Sequence, residues 1–261
     1  GVGAALAKKL AQAGAAVVVA DLDDGPASEV SQAINADGGK AVPLAGDVTG
    51  EDFGERAVAT MIERFGGIDI IVNNAGYVWN TAVHKTSDEQ WQAMLECHAS
   101  APFRILRAAA PFIREAAQRE AKEGTARHRK VVNISSIAGI YGGATQIAYS
   151  AGKAAQIGIT KSLAKEWGRY RVNVNCVGFG LIETRLTQTW ESEEIAKIDV
   201  GGKDYRVGFS AEARDHLLSQ VPLGRPGTPE EAAGAVFLFC LPESDYITGE
   251  VIIAGGGILS Y

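Results

Sequence analysis

Cysteine, basic charge and long apolar runs are all scarce in this 261-residue chain. Its three cysteines, Cys97, Cys176 and Cys240, are far apart and share no ligand spacing with histidine, so neither a disulfide framework nor a zinc site is indicated. Acidic residues outnumber basic ones by 31 to 25, which gives a nucleic-acid partner no support. No apolar run approaches the roughly 18–20 residues of a membrane span, and no signal peptide pattern is present. These absences predict a cytoplasmic protein that binds no nucleic acid, membrane or metal.

Apolar residues are the abundant class, at 46% of the chain, which is enough for a large core. The most basic run, Arg127 to Lys130, comes just before a predicted strand. We interpret this run as a solvated loop, and the longer REAAQREAKEGTARHRK stretch that contains it as an exposed helix extension.

Strand and helix patterns alternate along the whole chain, and the strands are mostly continuous β-branched runs. Such runs are typical of strands buried on both faces, and the alternation predicts βαβ units with a parallel sheet between helical layers. A helical stretch from Ser87 to about Lys122 contains Pro102 and Pro111, which we expect to bend or divide it. No repeat or linker interrupts the pattern, so we predict one α/β domain over residues 1–261. The predicted strands are AAVVVADLD, KAVPLAGDV, IDIIVNNAG, VVNIS, RVNVNCV and EVIIAGGG.

The predicted helix from Thr145 to Trp167 carries a tyrosine and a lysine four residues apart, Tyr149 and Lys153. Residues at this spacing lie on one face of a helix, about one turn apart. A cation beside a phenol favours tyrosinate and lowers the phenol's pKa from its usual value of about 10, so Tyr149 can exchange a proton with a substrate oxygen. The hydroxyl of Ser136, at the end of the preceding strand, can face the same pocket. The alternative is a surface Tyr–Lys pair without a chemical role.

The first three residues, Gly1-Val2-Gly3, open a predicted helix. Glycines at such a point let the backbone approach a dinucleotide pyrophosphate, while the helix N-terminus supplies oriented N–H donors. Asp21 ends the next strand, where a carboxylate binds the adenosine ribose hydroxyls and repels a 2′-phosphate. We therefore predict a dinucleotide site that prefers NAD to NADP. The alternatives are a plain helix start and a turn aspartate among Asp21, Asp23 and Asp24.

These segments, taken in order, resemble the short-chain dehydrogenase/reductase family over essentially the whole chain. The thirteen-residue interval between Ser136 and Tyr149 is the family's usual one. The matching segments are Gly1-Val2-Gly3, Asp47-Val48, Asn73-Asn74-Ala75-Gly76, Ser136 with Tyr149 and Lys153, and Gly180-Leu181-Ile182-Glu183-Thr184.

The resemblance implies a Rossmann-like, doubly wound parallel sheet of order 3-2-1-4-5-6-7 and hydride transfer between a nicotinamide and a carbonyl or secondary alcohol. It assigns proton transfer to Tyr149, support of the phenol and of the nicotinamide ribose to Lys153, and hydrogen bonding of the substrate oxygen to Ser136 rather than Ser135. The remaining cofactor contacts that it implies are Asp47 and Val48 at the adenine, Asn74, Ala75 and Gly76 near the nicotinamide ribose, and Gly180, Ile182 and Thr184 at the carboxamide.

Within the family the chain is most similar to 3-oxoacyl-thioester reductases, so an acyl thioester is the expected substrate. A steroid, sugar or simple alcohol is the alternative substrate, and a catalytically silent dinucleotide-binding sensor or scaffold is the alternative of another class. Residues 184–220 are expected to form a lid over the substrate. Its expected apolar contacts are Trp190, Tyr205 and Phe209, and the glycines that allow movement are Gly201, Gly202 and Gly208. Family members form homotetramers or homodimers through their two long helices, here the Ser87–Lys122 and Thr145–Trp167 segments.

Three departures from the family pattern carry expectations of their own. The family's first strand and half of its glycine turn have no counterpart, so we expect a hole in the sheet, and about 15–20 further residues before Gly1 in the native protein. His98 stands where the family has a catalytic asparagine that holds a water beside the lysine. It either continues a proton relay with altered pH dependence or simply packs in a helix kink. Phe179 replaces a proline and either faces the substrate or packs.

Overall fold

The computed structural model describes residues 1–189, 197–200 and 203–258. The chain alternates helices and strands as the sequence predicts. The helices are α1 (Val2–Gln12), α2 (Asp24–Ala36), α3 (Phe53–Phe65), α4 (Asp88–Leu95), α5 (Ala101–Glu123), α6 (Ile137–Tyr141), α7 (Ile147–Trp167), α8 (Ala211–Ser219) and α9 (Pro229–Leu238). The strands are β1 (Ala16–Asp21), β2 (Lys40–Ala45), β3 (Ile70–Asn73), β4 (Arg129–Ser136), β5 (Val172–Phe179), β6 (Lys197–Val200), β7 (Lys203–Arg206) and β8 (Val251–Ala254).

The strands pair in parallel, apart from the β6–β7 hairpin. Strands β3, β4, β5 and β8 form one sheet in that order, and β1 pairs separately with β2. The helices α3, α5 and α7 supply the apolar core on one side of the larger sheet, while α1 and α9 cover the other side. This arrangement confirms the predicted doubly wound α/β architecture, because parallel strands need helical crossovers on both faces.

The expected hole in the sheet lies between β1 and β3, which belong to separate sheets. Both strands line one continuous cavity of about 1620 Å³ that also reaches the carboxyl ends of β4 and β5. Because β1 and β3 both border this cavity, the strand order is β2-β1, then the cavity, then β3-β4-β5-β8. That order is the predicted one, with a gap at the position of the family's first strand.

A π-helical turn over Glu96–Ser100 separates α4 from α5. Pro102 follows directly in the first turn of α5, where it lacks the N–H that would bond to the carbonyl of His98 four residues earlier. Pro111 lies inside α5 without ending it. The predicted division of this long helix is therefore confirmed at Pro102, whereas Pro111 does not divide it.

The interpretation of the basic run as a solvated loop is wrong for its last two residues. Arg129 and Lys130 are the first residues of β4 and are 2% and 4% exposed. The guanidinium of Arg129 donates to both carboxylate oxygens of Glu120 and to the carbonyl of Ile68. The ammonium of Lys130 bonds to Asp245. The helix extension is likewise not fully exposed, because Glu120 is buried under Arg129.

The predicted lid is partly described. A 3-10 turn over Arg185–Thr187 precedes it, Thr189 pairs with Phe209 across its base, and α8 completes it. Phe209 lines the cavity. Trp190, Gly201 and Gly202 lie outside the described residues, and of Tyr205 only the backbone is described. Within the described ranges, no helix combines the length and apolarity required to cross a membrane.

Candidate active site

The carboxyl ends of the parallel strands open into the cavity, which is where doubly wound sheets place their ligands. Fifteen of the sixteen predicted site residues line its wall, and His98 lies just behind it. The lining residues are Gly1, Val2, Gly3, Asp21, Asp47, Val48, Asn74, Ala75, Gly76, Ser136, Tyr149, Lys153, Gly180, Ile182 and Thr184.

Ser136 and Tyr149 are brought together at the end of β4. The Ser136 hydroxyl lies beside the phenol of Tyr149 and acts to lower its pKa, and the Ser136 oxygen accepts a hydrogen bond from the backbone N–H of Ala138. Ser135 has a different environment, because its hydroxyl is buried and donates to the carbonyl of Lys153 at 2.8 Å. The structure thus gives the two neighbouring serines different surroundings, with the Ser136 hydroxyl beside the phenol and the Ser135 hydroxyl bonded to the backbone of α7.

Lys153 lies one helical turn after Tyr149 and is 5% exposed. Its ammonium donates to the carbonyl of Ile134 at 2.9 Å and lies 5.8 Å from the centre of the Tyr149 ring. Burial lowers the pKa of Lys153 to about 8. Since an ammonium carries three donors, this lysine keeps donor capacity beyond its one carbonyl.

The expectation that Lys153 lowers the pKa of Tyr149 is wrong for the protein without bound ligands. Burial raises the pKa of Tyr149 to about 12, and the neighbouring Ser136 hydroxyl, which acts in the opposite direction, does not offset it. Desolvation disfavours the anionic phenolate more than its neighbours stabilise it. Tyr149 is therefore a protonated phenol at neutral pH and can donate a proton.

His98 is completely buried in the π-turn, and its ring meets the Tyr149 ring edge-on at 5.3 Å between centroids. Its Nε2 lies 2.8 Å from the carbonyl oxygen of Tyr77. A carbonyl can only accept, so Nε2 carries the proton and Nδ1 is an acceptor. Burial and the nearby Lys153 charge keep the pKa of His98 well below 6.5, which makes the ring neutral.

A buried chain of polar groups connects this turn with the centre of the sheet, which sequence reasoning missed. Gln156 donates to the freed carbonyl of His98 at 2.7 Å, and Thr160 donates to the carbonyl of Gln156. Asn133 donates to Thr160, and Asn73 donates to Asn133. One signal was available: Pro102, four residues after His98, predicts a carbonyl in need of another donor.

The end of the cavity at α1 fits a dinucleotide phosphate. Helix α1 begins at Gly1 with no side-chain cap and no acidic residue in its first turn, so its first N–H groups are free of such partners. A Cβ on Gly3 would lie 2.8 Å from the side-chain amide of Asn74, so the start of the helix lies against the Asn74 side chain. Oriented N–H groups and the positive end of the helix dipole favour an anion here.

Two aspartates follow β1 and β2 at the same end of the cavity. Asp21 accepts from the backbone of Asp23, and Asp47 accepts from the backbone and the hydroxyl of Thr49. These bonds fix both turns with carboxylates beside the cavity. Each carboxylate can still accept further hydrogen bonds from a ligand in the cavity, because an ionised carboxylate has about four acceptor sites.

The opposite wall is built from the segment after β5. A Cβ on Gly180 would lie 2.7 Å from the Cα of Gly255, so the two backbones touch there. The backbone of Ile182 pairs with Gly227, and the Thr187 hydroxyl lies close to the carbonyl of Ile182. Phe179 lines the cavity and also packs in the core beside α1 and α9, so both sequence alternatives hold for it.

No cluster of metal-ligating side chains occurs among the residues described. All three cysteines are free; Cys97 and Cys176 are buried, and Cys240 is half-buried.

Known proteins resemble this chain over nearly its whole length. A family model described as enoyl-(acyl carrier protein) reductase matches residues 1–259. The chain is 34% identical to a 3-oxoacyl-(acyl-carrier-protein) reductase of Aquifex aeolicus over 99% of its own length and 93% of the relative's. Identity to the enzymes of that name from Escherichia coli and Thermotoga maritima is 32% and 31%, over 99% of this chain and 93% and 94% of theirs. The chain therefore belongs to the short-chain dehydrogenase/reductase family and is an oxidoreductase that depends on a nicotinamide dinucleotide.

Proposed function

We propose that this chain interconverts a 3-oxo group and a 3-hydroxyl group on an acyl thioester, with NAD as its preferred cofactor. The observation that carries the proposal is that Ser136 and Tyr149 lie side by side on the wall of a large cavity, with the Lys153 ammonium 5.8 Å from the centre of the phenol ring. The relatives' name, 3-oxoacyl-(acyl-carrier-protein) reductase, supports the choice of substrate class.

Three side chains divide the work of the reaction. In the direction of reduction, Tyr149 gives its proton to the substrate oxygen, and in oxidation it takes the alcohol proton. Ser136 donates a hydrogen bond to the same oxygen and fixes its position, which is an electrostatic role. Lys153 supplies a positive charge that stabilises the phenolate once the proton has left. The nicotinamide, when bound, supplies or accepts the hydride.

The same cavity wall holds the cofactor. The free N–H groups at Gly1-Val2-Gly3 bind the pyrophosphate, and the carboxylate of Asp21 binds the adenosine ribose. The other residues with a role in binding are Asp47 and Val48 at the adenine, Asn74, Ala75, Gly76 and Lys153 along the nicotinamide ribose, and Gly180, Ile182 and Thr184 at the carboxamide.

Asp21 supports NAD over NADP, since its charge repels a 2′-phosphate and Asp23 and Asp24 follow it. We expect tighter binding of NADH than of NADPH in fluorescence titrations. Asp21→Ser should shift the ratio of the two dissociation constants toward NADPH by about fivefold, because it removes one like-charge repulsion worth about 1 kcal/mol. Asp37→Ser, at the end of α2, is the matched control and should leave the ratio unchanged. Tighter NADPH binding by the wild-type protein would contradict the preference.

The substrate class is tested with a panel of carbonyl compounds, following oxidation of NADH and NADPH by absorbance. The panel contains a short 3-oxoacyl thioester, a ketosteroid, a keto sugar and a simple ketone, with Tyr149→Phe protein as the blank. We expect the highest kcat/KM for the thioester. A higher value for another class would reassign the substrate. NADH binding without turnover of any member would instead favour the silent dinucleotide-binding class.

The outer faces of α4, α5 and α7 support a homotetramer or homodimer. Trp91 is 38% and Phe103 51% exposed, although both are large apolar side chains. A Cβ on Gly158 of α7 would meet no atom of the chain within 4 Å, so α7 has room at this point for another helix to approach. Light scattering should give an oligomer, and Phe103→Glu should dissociate it. A monomeric wild-type protein would contradict this assembly.

A further inference from the structure

The turn after β2 lies on the cavity wall and carries Asp47 and Val48, the two residues assigned to the adenine. One carboxylate oxygen of Asp47 accepts from the backbone N–H of Thr49 at 2.8 Å and from the Thr49 hydroxyl at 2.7 Å. Because both bonds come from Thr49, the direction of the Asp47 carboxylate follows the position of that residue. A group that fixes Thr49 therefore also fixes the carboxylate beside the adenine.

Arg104 of α5, which is 55 residues further along the chain, binds the backbone of Thr49. Its Nη1 donates to the carbonyl oxygen of Thr49 at 3.1 Å and to the carboxylate of Glu96 at 2.7 Å. This nitrogen carries two N–H bonds, so it serves both acceptors at once. The Arg104 side chain is 22% exposed and that of Glu96 is 29% exposed. Such partial burial makes the charge-assisted hydrogen bonds stronger than they would be at an open surface.

Glu96 belongs to the π-turn, and both of its carboxylate oxygens are used. Oε2 accepts from Arg104, while Oε1 accepts from the side chains of Gln92 at 3.0 Å and Ser100 at 3.2 Å. Burial acts to raise the pKa of Glu96, but these donors, with Arg104 first, outweigh it and hold the pKa below its ordinary value. The carboxylate is therefore ionised at neutral pH and anchors the guanidinium.

The backbone of Arg104 is also fixed by packing. A Cβ on Gly54 of α3 would lie 2.9 Å from the carbonyl oxygen of Arg104, so α3 and α5 touch at this residue. Glu96, Thr49 and Asp47 line the cavity, and Arg104 reaches them from outside that lining. The guanidinium thus contacts the wall of the site without facing the ligand.

We propose that Arg104, anchored by Glu96, is a positioning residue that holds the turn after β2 in the shape that binds the adenosine part of the dinucleotide. The inference rests on the proposed function, because it requires the adenine to lie at this turn. Arg104 acts through Thr49 and touches neither cofactor nor substrate. Its loss therefore weakens the binding of the adenosine half, whereas a side chain that only supported the fold would affect both halves of the cofactor or neither.

Calorimetric titrations with the two halves of the cofactor test this inference without turnover. The probes are ADP-ribose, which keeps the adenosine and the pyrophosphate, and reduced nicotinamide mononucleotide, which lacks the adenosine. Arg104→Met should raise the Kd of ADP-ribose and of NADH by about tenfold, the effect of losing one hydrogen bond from a charged donor, and should leave that of the mononucleotide unchanged. Arg114→Met, the same change at an exposed arginine of α5, should alter none of the three. Wild-type affinity for ADP-ribose in folded Arg104→Met protein, or an equal loss for both halves, would overturn the inference.

Glu96→Gln is the second variant, and it remains informative if Arg104→Met does not fold. The amide keeps the shape of the side chain but has one acceptor oxygen for donors on both sides, so Arg104 loses part of its anchor. The Kd of ADP-ribose should rise by about threefold, and combining Glu96→Gln with Arg104→Met should add nothing, because Glu96 acts through Arg104. Wild-type affinity in Glu96→Gln, or additive losses in the double variant, would overturn the inference.

The wild-type protein separates this inference from the proposed function. Binding of ADP-ribose without turnover of any carbonyl substrate would contradict the proposed reaction and leave the inference intact. A wild-type protein that binds neither half of the cofactor would contradict both.

Discussion

Two lysines of this chain are almost equally buried, but their ammonium groups have different numbers of hydrogen-bond acceptors around them. Lys130, at the amino end of β4, is 4% exposed and donates to Asn173, Ser244 and the carboxylate of Asp245. Lys153, at the carboxyl end of the sheet, is 5% exposed and donates to one carbonyl. Three acceptors use all the donors of Lys130, whereas Lys153 retains capacity for something else.

The difference extends to the two ends of the sheet as a whole. At the amino end, Arg129 and Glu120 form a buried ion pair in which both carboxylate oxygens are used. At the carboxyl end, His98 and Gln156 keep unpaired acceptors, and burial shifts the pKa of both Tyr149 and Lys153. Fully paired charges are typical of a structural role. Buried groups that lack hydrogen-bond partners or have shifted pKa values are typical of a ligand-binding site.

The largest expected effect is on kcat and comes from a variant at the carboxyl end of the sheet. Tyr149→Phe removes the proton donor and should lower kcat by about 10²–10⁴-fold, the usual contribution of a positioned acid–base group. NADH affinity and thermal stability should change little, because the ring and its packing remain. Steady-state kinetics, fluorescence titration and a melting curve measure the three quantities. Near-normal turnover would show that another group transfers the proton.

The next largest effect is on stability and comes from a variant at the amino end of the sheet. Arg129→Met leaves the buried carboxylate of Glu120 with only the exposed Arg127 as a cationic partner and should lower the free energy of unfolding by about 3 kcal/mol. The folded fraction should keep its kcat, since the pair does not border the cavity. Urea denaturation and activity at saturating substrate test both statements.

The matched control for the ion pair is the double variant Arg129→Met with Glu120→Leu. It removes both charges and should recover most of the lost stability. A double variant as unstable as the single one would mean that packing, rather than the weakly paired carboxylate of Glu120, causes the loss. A lowered kcat in the folded single variant would contradict the separation of the two ends.

The smallest effect concerns the pH dependence of stability at Lys153. Its pKa of about 8 in the folded chain lies below the unfolded value of 10.5, so the unfolded chain binds more protons between these values. Stability from this group therefore rises with pH across that window, by at most about 1.4 kcal/mol per pH unit. Melting temperatures of wild-type and Lys153→Met protein should converge as the pH rises from about 8 toward 10. A constant difference would contradict the lowered pKa.

Most of the fold was predictable because the pattern of a doubly buried parallel strand is local. The β-branched runs that form β1, β4 and β5 are read directly from the sequence. The start of β4 at Arg129 and Lys130 was not predictable. Their charges are buried there because Arg129 pairs with Glu120 and Lys130 with Asp245, which are 9 and 115 residues away in the sequence. Tertiary partners override local polarity here.

The site shows the same limit. The spacing of Ser136, Tyr149 and Lys153 predicts that they meet, because a strand end and one helix face fix their directions. Their pKa values were not predictable, since burial depends on every element around the cavity. The role of Gln156 was predictable only in part, because Pro102 indicates that the carbonyl of His98 needs another donor but not that this donor comes from a residue 58 positions away.

The buried chain of amides from Asn73 through Asn133 to Gln156 has a consequence for motion. It joins the π-turn behind the catalytic tyrosine to β3 and β4 in the middle of the sheet. Opening the turn would break bonds that the central strands also need, so the turn cannot open as a small local unit. Its backbone amides should exchange with solvent deuterium as slowly as those of β4. The rear wall of the site would then keep its shape for as long as the molecule stays folded.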